Sequence, residues 1–338
     1  MNIKAIQEKQ KEFINDHTEA DIIKTELIKQ GKNTHHNTTK KYNTVFNSFN
    51  NYTAASNIAE INQANIKKIY KGYADYLTIY KTKNNKPLSD NTINQYMILI
   101  TRFLRDPEYC NLNINKNWYK RIKTKKPETN YITYAEYNYL IEYLDNIIDA
   151  TSSTRKKTAY TIDRIMIKLL YCTGLRIHEA LKIKIADILE LQRDDEFNIY
   201  QYKVIGKGNK ARSILISSAL YDDLIEYIRQ CTHTQQVYLF ESPRTHKPFT
   251  AVRFEKNFKQ IAKAIDDANN INYADSKSYT KNLKPHNLRH SYATRRIERG
   301  TKINVLQELL GHENITTTQI YTKINERNLR SAAAGTLD

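Results

Sequence analysis

Between Pro285 and Gly311 a proline and two glycines punctuate the apolar pattern so closely that the stretch has room for two short helices and a turn. Pro285 suits a first helical turn, Leu288, Tyr292 and Ile297 form an apolar stripe, and Gly300 is placed as the stop. His286 and Arg289 then stand one turn apart on one face of that helix. The next helix turns Ile303, Leu306, Leu309 and Leu310 inward and ends at Gly311, so His312 emerges just past a helix C-terminus. Tyr321 lies on a third segment, Thr316 to Ile324. Three small helices so arranged deliver two imidazoles, a guanidinium and a phenol near one another, a set unlike a metal cluster.

The remainder of the chain reads as mainly α, in two domains. Residues 1 to about 33 form a charged helix with Ile6, Phe13, Ile22, Ile23 and Leu27 as apolar positions, and the polar stretch Lys32 to Thr39 reads as a linker. Helical patterns follow at Lys40 to Tyr52, Asn65 to Tyr80 and Asp90 to Leu104, the last with Asp90 as its cap. The first domain therefore spans residues 1–115. A basic connector with a proline, residues 116–132, follows, and the second domain, 133–338, opens with the capping box Thr133 and Glu136. In that domain we expect helices at Tyr134 to Asp149, Tyr160 to Cys172, and from His178 through Ala180, Leu181, Ile183 and Ile185. The period then changes. Phe197 to Ile205 and Arg212 to Ile216 alternate like strands around the basic turn Gly206-Lys207-Gly208-Asn209-Lys210, which gives one small β-hairpin in a helical domain. Helices near Ala219 to Gln230 and Thr250 to Ala268 complete it.

The formal net charge of +17 over 338 residues makes a polyanion, most simply nucleic acid, the expected partner. The plainer reading is that excess lysine keeps the surface solvated. No signal-peptide core and no run of membrane-spanning length is present, so we expect a soluble, cytoplasmic protein without a membrane partner. Cys110, Cys172 and Cys231 are odd in number and widely spaced, which fits neither a disulfide framework nor a zinc site.

Five boxes occur in order: Thr173-Gly174-Leu175-Arg176-x-x-Glu179, Gly206-Lys207-Gly208-Asn209-Lys210, His286-x-Leu288-Arg289-His290, Leu310-Gly311-His312, and Tyr321. Together they resemble the tyrosine recombinase, or phage integrase, family, over roughly residues 133–325. The N-terminal half is similar only in kind to that family's helical, SAM-like core-binding domain. The resemblance implies a two-domain DNA clamp of the simple type, without a separate arm-binding domain. It also implies that Arg176, Lys207, His286, Arg289, His312 and Tyr321 take the six active-site roles, with Glu179 and His290 in support. Implied with them are a site-specific recombinase that cleaves and rejoins DNA through a 3′-phosphotyrosyl link, in integration, excision or resolution, and no need for ATP, metal or another cofactor. Its partner would be double-stranded DNA with inverted-repeat core sites. In the family, C-terminal tails such as Thr322 to Asp338, with a short helix at Asn325 to Ala334, dock onto a neighbouring subunit, which implies a homotetramer on two sites; an equal reading of the same residues is a frayed terminus.

The chemistry suits these residue types. A phosphodiester gathers charge on its non-bridging oxygens as a nucleophile adds, and the guanidiniums of Arg176 and Arg289 are fixed forked donors for it. Tyr321 would be the nucleophile. A free phenol is only about one part in a thousand ionised at neutral pH and needs help losing its proton. His286 is the better candidate for that task, and His312 for donating to the phosphate. Lys207 is placed to protonate the leaving 5′-oxygen.

Each residue also has a plainer reading. Arg176 could be a solvated helix-start arginine, and Lys207 competes with Lys210, since only family position separates two lysines on one turn. Glu179 reads as orienting Arg176 or satisfying backbone rather than as a base. His290 is either a core histidine or a supporting contact. Tyr321 is one of 25 tyrosines and is singled out by its nine-residue spacing from His312. Among other classes, Gly206-Lys207-Gly208 lacks P-loop spacing, and His286 and His290 lack the glutamate of H-E-x-x-H. A type IB topoisomerase shares the chemistry, and a DNA-binding regulator could share the fold without turnover.

Overall fold

The computed structural model describes residues 1–26, 33–82, 85–124, 130–205, 211–231, 235–273, 275 and 277–311, with the side chains of 18–26, 33–37, 116 and 231 outside the description. The chain divides into two compact units, Met1–Pro127 and Glu128–Asp338. Most described residues are helical, and the strands form small antiparallel sheets.

The first unit is built from α1 (Ile3–Glu26), α2 (Asn33–Ala55), α3 (Ile66–Ile79) and α4 (Asp90–Arg105), with a 3-10 turn at Lys116–Trp118. Its core is aromatic: Phe13 meets Phe46 and Phe103 edge-on at 5.9 and 5.5 Å, and Phe49 meets Tyr73 at 5.0 Å. Two expectations are corrected here. The stretch expected as a linker, residues 32–39, is helical from Asn33 onward. Val45, Phe46 and Phe49 anchor the helix in the core, and extending an anchored helix by further residues costs little even where the side chains are polar. The cap of α4 is Ser89, whose Oγ accepts from Thr92 N at 3.3 Å, and Asp90 is the first helical residue.

The second unit contains α5 (Tyr134–Ala150), α6 (Thr154–Thr173), α7 (Ile177–Ala180), α8 (Ile185–Leu189), β1 (Arg193–Asp194), β2 (Ile199–Ile205), β3 (Ala211–Ser217) and α9 (Ser218–Cys231). After these come β4 (Glu241–Ser242), β5 (Lys247–Pro248), α10 (Ala251–Ala268), α11 (Tyr279–Asn282), α12 (Pro285–Glu298) and α13 (Ile303–Leu310). The expected capping box starts α5: Thr133 N donates to Glu136 at 2.8 Å, and Glu136 N to Thr133 Oγ1 at 3.3 Å. Helix α6 is the axis of the unit. Ile165, Met166, Ile167, Leu169, Leu170 and Tyr171 bury it on nearly every side, against α5, α9, α10 and α12.

The single helix expected from His178 to Ile185 is two short helices. The chain between them is drawn out by a bridge from Lys184 to Tyr238, with Ile185 N on Val237 O at 3.0 Å and Leu239 N on Ile183 O at 2.8 Å. The hairpin is the expected one, β2 against β3, with Tyr200 opposite Ile216 and Val204 opposite Arg212. It gains the short strand β1 at its edge, and β4 pairs with β5 apart from it. These added strands are two residues each, too short to show a period.

Candidate active site

Helix α6 ends at Gly174, whose left-handed backbone (φ +67°) is open to glycine and strained for other residues. A Cβ there would also lie 2.5 Å from Cδ1 of Tyr292 on α12, so this glycine lets α6 and α12 close on each other. Two residues on, Arg176 occupies the N-cap position of α7, its backbone N–H bonded to Glu179 Oε2 at 2.8 Å and its Nη1 to Oε1 at 3.0 Å. The Arg176 side chain keeps 39% of its surface open, whereas Glu179 keeps 8%.

Pro285 starts α12, as its fixed φ favours, and the helix presents His286, Arg289 and His290. Arg289 is buried. Its Nη1 donates to Gly174 O at 2.6 Å and its Nη2 to Leu310 O at 2.5 Å. The His286 and His290 rings meet edge to face at 4.4 Å. Crowding by protein atoms, then the charges of Arg289 and Arg176, lowers the pKa of His286, although solvent still reaches its ring. Burial pushes His290 down further, to about 4, with His286 and Arg289 adding to it. His290 is therefore neutral at physiological pH, and His286 is disposed to be.

Helix α13 turns Leu306 and Leu310 into a small core with Tyr292, Ala293 and Ile297, and ends at Gly311 in the left-handed conformation. Three arginines from three elements cap its last carbonyls. Arg212 Nε reaches Leu309 O at 3.2 Å, Arg289 holds Leu310 O, and Arg176 Nη2 approaches Gly311 O more loosely at 3.5 Å. A helix C-terminus, with its unpaired carbonyls and negative dipole end, stabilises such cations.

Arg212 was not among the sequence candidates. Its side chain is 8% exposed and grips Glu179 with both terminal nitrogens, Nη1 to Oε1 at 2.9 Å and Nη2 to Oε2 at 2.6 Å. Strand parity carried the signal, since Arg212 shares a face with the buried Ile214 and Ile216, and a charge on a core face needs a partner. Burial alone would raise the pKa of Glu179, but the bonds and charges of Arg212 and Arg176 outweigh it and hold the carboxyl below its ordinary range. With four donors on about four lone-pair sites, Glu179 has no capacity left to act as a base.

Thus Arg176, Glu179, His286, Arg289 and His290 converge on one end of the second unit. Lys207, Lys210, His312 and Tyr321, and the segment 325–334, lie outside the described residues. The described cluster supplies partly open guanidinium and imidazole groups at a cationic surface, which suits a phosphate.

The model of the phage integrase family matches residues 130–328, and that of the phage integrase SAM-like domain matches residues 20–107. The chain belongs to the phage integrase family. Among its relatives, the tyrosine recombinase XerD of Rickettsia prowazekii (strain Madrid E) is 30% identical over 296 residues, 84% of this chain and 86% of the relative. The tyrosine recombinase XerA of Pyrococcus furiosus is 35% identical over 174 residues, about half of each chain. The fold is that of solved phage integrase relatives. The Tn1549 transposon integrase in complex with transposon right end DNA superposes with a TM-score of 0.61 at 19% identity, covering 99% of this chain and 100% of that one. The XerH site-specific recombinase bound to difH gives 0.58 at 22% identity, covering 88% and 78%. This phage integrase homologue is accordingly a tyrosine recombinase, of a family whose enzymes cleave and rejoin DNA strands. Among the described residues no helix is long and apolar enough to cross a membrane.

Proposed function

We propose that the chain is a site-specific DNA recombinase in which Tyr321 Oη attacks the scissile phosphorus, forming a 3′-phosphotyrosyl bond as the bond to the 5′-oxygen breaks. The phenolic proton passes to His286, and Lys207 gives a proton to the leaving oxygen. A free 5′-hydroxyl then attacks the phosphotyrosine and the same transfers run backwards. Arg176 and Arg289, with His312 donating beside them, hold the non-bridging oxygens as charge builds there. Because the phosphotyrosyl bond conserves the energy of the one it replaces, no nucleotide is needed, and Arg176, Arg289 and Lys207 supply the charge a metal would bring.

The observation that carries this reading is the meeting of Arg176 and Arg289, distant in sequence, at the adjoining carbonyls of Gly311 and Leu310, directly before His312 in the chain. The lowered pKa of His286 supports its role as proton acceptor. In this reading residues 1–115 bind the core of the DNA site, 116–132 run along the duplex, and 133–338 carry catalysis. Relatives solved on DNA support double-stranded DNA as the substrate. A cytoplasmic homotetramer on two inverted-repeat sites, joined by exchange of C-terminal tails, completes the proposal.

The test is to incubate the protein with a library of random-sequence duplexes in chelator and recover DNA that stays attached to protein after denaturation. We expect attached duplexes that converge on an inverted repeat. Failure to attach any DNA, or attachment that chelator abolishes, would contradict the proposal.

A further inference from the structure

Glu179 sits between two guanidiniums, and how it divides itself decides what Arg176 can do. Its Oε1 accepts from both Arg176 Nη1 and Arg212 Nη1, at 3.0 and 2.9 Å, and its Oε2 from Arg176 N and Arg212 Nη2, at 2.8 and 2.6 Å. Arg212 therefore takes the forked, two-point position on the carboxylate and leaves Arg176 a single side-chain bond. A carboxylate lacking Arg212 would draw Arg176 into the two-point position, because buried charge seeks the fullest pairing within reach.

The same guanidinium reaches further. Arg212 Nε donates to Leu309 O at 3.2 Å, and its Cδ packs so closely on Gly311 that a Cβ there would lie 2.8 Å away. It stands on β3 one residue beyond the strand's start at Ala211, at the end of the turn that carries Lys207 in the sequence. One side chain thus joins the hairpin, Glu179 and the carboxyl end of α13.

We propose that Arg212 is a positioning residue of the recombination reaction: by occupying Glu179 it keeps the Arg176 fork free for the scissile phosphate, and by bonding Leu309 it fixes the end of α13. The inference rests on the recombinase reading above. It places the effect of Arg212 on the non-bridging oxygens, through Arg176, and not on the leaving group. Lysine cannot substitute for it, because a single ammonium cannot present two parallel donors to Glu179 and a third to Leu309.

The experiment uses the full chain and a nicked form of one duplex recovered from the random library. It reads the rate of covalent attachment at saturating DNA, the Kd for that duplex, and thermal unfolding. We expect Arg212→Met to slow attachment roughly 10- to 100-fold, less than the roughly 10² to 10³ of losing a direct donor to developing charge, with Kd changed less than about twofold. Arg212→Lys, which keeps the charge and a partner for Glu179, should fold like wild type and still be slowed about tenfold or more, since its single ammonium cannot replace the guanidinium fork. Glu179→Gln added to Arg212→Met removes the carboxylate that captures Arg176, and should recover a large part of the lost rate. A duplex with sulfur as the bridging 5′-atom should rescue Lys207→Ala and leave Arg212→Met slow. The proposal is overturned if Arg212→Lys reacts at the wild-type rate, if the double variant is no faster than Arg212→Met, or if sulfur restores Arg212→Met. A wild-type protein that forms no attachment would instead count against the recombinase reading itself.

Discussion

Arg289 donates to the carbonyls of Gly174 and Leu310, at 2.6 and 2.5 Å, so one buried side chain on α12 ties together the C-terminal ends of α6 and α13. A lysine cannot span both carbonyls and also face a phosphate. We expect Arg289→Lys to slow covalent attachment by at least the roughly 10² to 10³ typical of a lost oxyanion donor. Leaving a buried carbonyl unpaired should also cost about 1–3 kcal/mol in denaturant unfolding. A rate within tenfold of wild type would contradict this assignment.

Gly174 makes a separate, purely structural prediction. Alanine there would hold a left-handed backbone, at roughly 1–2 kcal/mol, and press its Cβ into Tyr292, where overpacking adds about 1–3 kcal/mol. Urea unfolding of Gly174→Ala should show a loss of about 2–5 kcal/mol with an unchanged m-value. A loss under about 1 kcal/mol would mean that α6 and α12 are packed less tightly than described.

Much of this arrangement was legible because it is written in residues with backbone consequences. Pro285, Gly300 and Gly311 mark helix ends by their φ preferences, and the apolar stripes of α12 and α13 lie between them. The break between α7 and α8 was not legible: Ala180, Leu181, Ile183 and Ile185 continue a helical pattern, and only pairing with the distant Val237 to Leu239 interrupts it. Nor was the partnership of Glu179. Its nearest arginine in sequence, Arg176, was evident, but the arginine that grips it at two points, Arg212, arrives from a strand and is betrayed only by sharing a face with Ile214 and Ile216.

His290 should make stability depend on pH. Its folded pKa of about 4 lies below the ordinary histidine value near 6.5, so on acidification the unfolded chain takes up a proton that the folded one refuses. The associated stability is therefore complete above about pH 6.5 and is lost as pH falls toward 4. Full shielding would make the loss at pH 5 about 2 kcal/mol; solvent reaches the ring, so on the order of 1 kcal/mol is expected. His290→Gln should flatten this slope in unfolding curves taken from pH 7 to 5. An unchanged slope would mean that His290 titrates normally.

Lys207 and Lys210 are separated by leaving-group chemistry. If Lys207 protonates the 5′-oxygen, Lys207→Ala should slow cleavage by roughly 10² to 10⁴ while binding hardly changes. A bridging 5′-sulfur leaves as a thiolate without a proton and should restore the rate. Rescue of Lys210→Ala, with Lys207→Ala left inactive, would move the role to Lys210.

The measurement that bears most directly on the recombinase reading is the covalent link itself. Wild type and Tyr321→Phe are incubated with the same nicked duplex, denatured, and digested, and the DNA-bearing peptide is sequenced by mass. We expect wild type to carry a phosphodiester on Tyr321, and Tyr321→Phe to bind the duplex with unchanged affinity and carry none. DNA attached to Tyr321→Phe at the wild-type level, or attached in wild type to any other residue, would contradict the assignment of Tyr321 as the nucleophile.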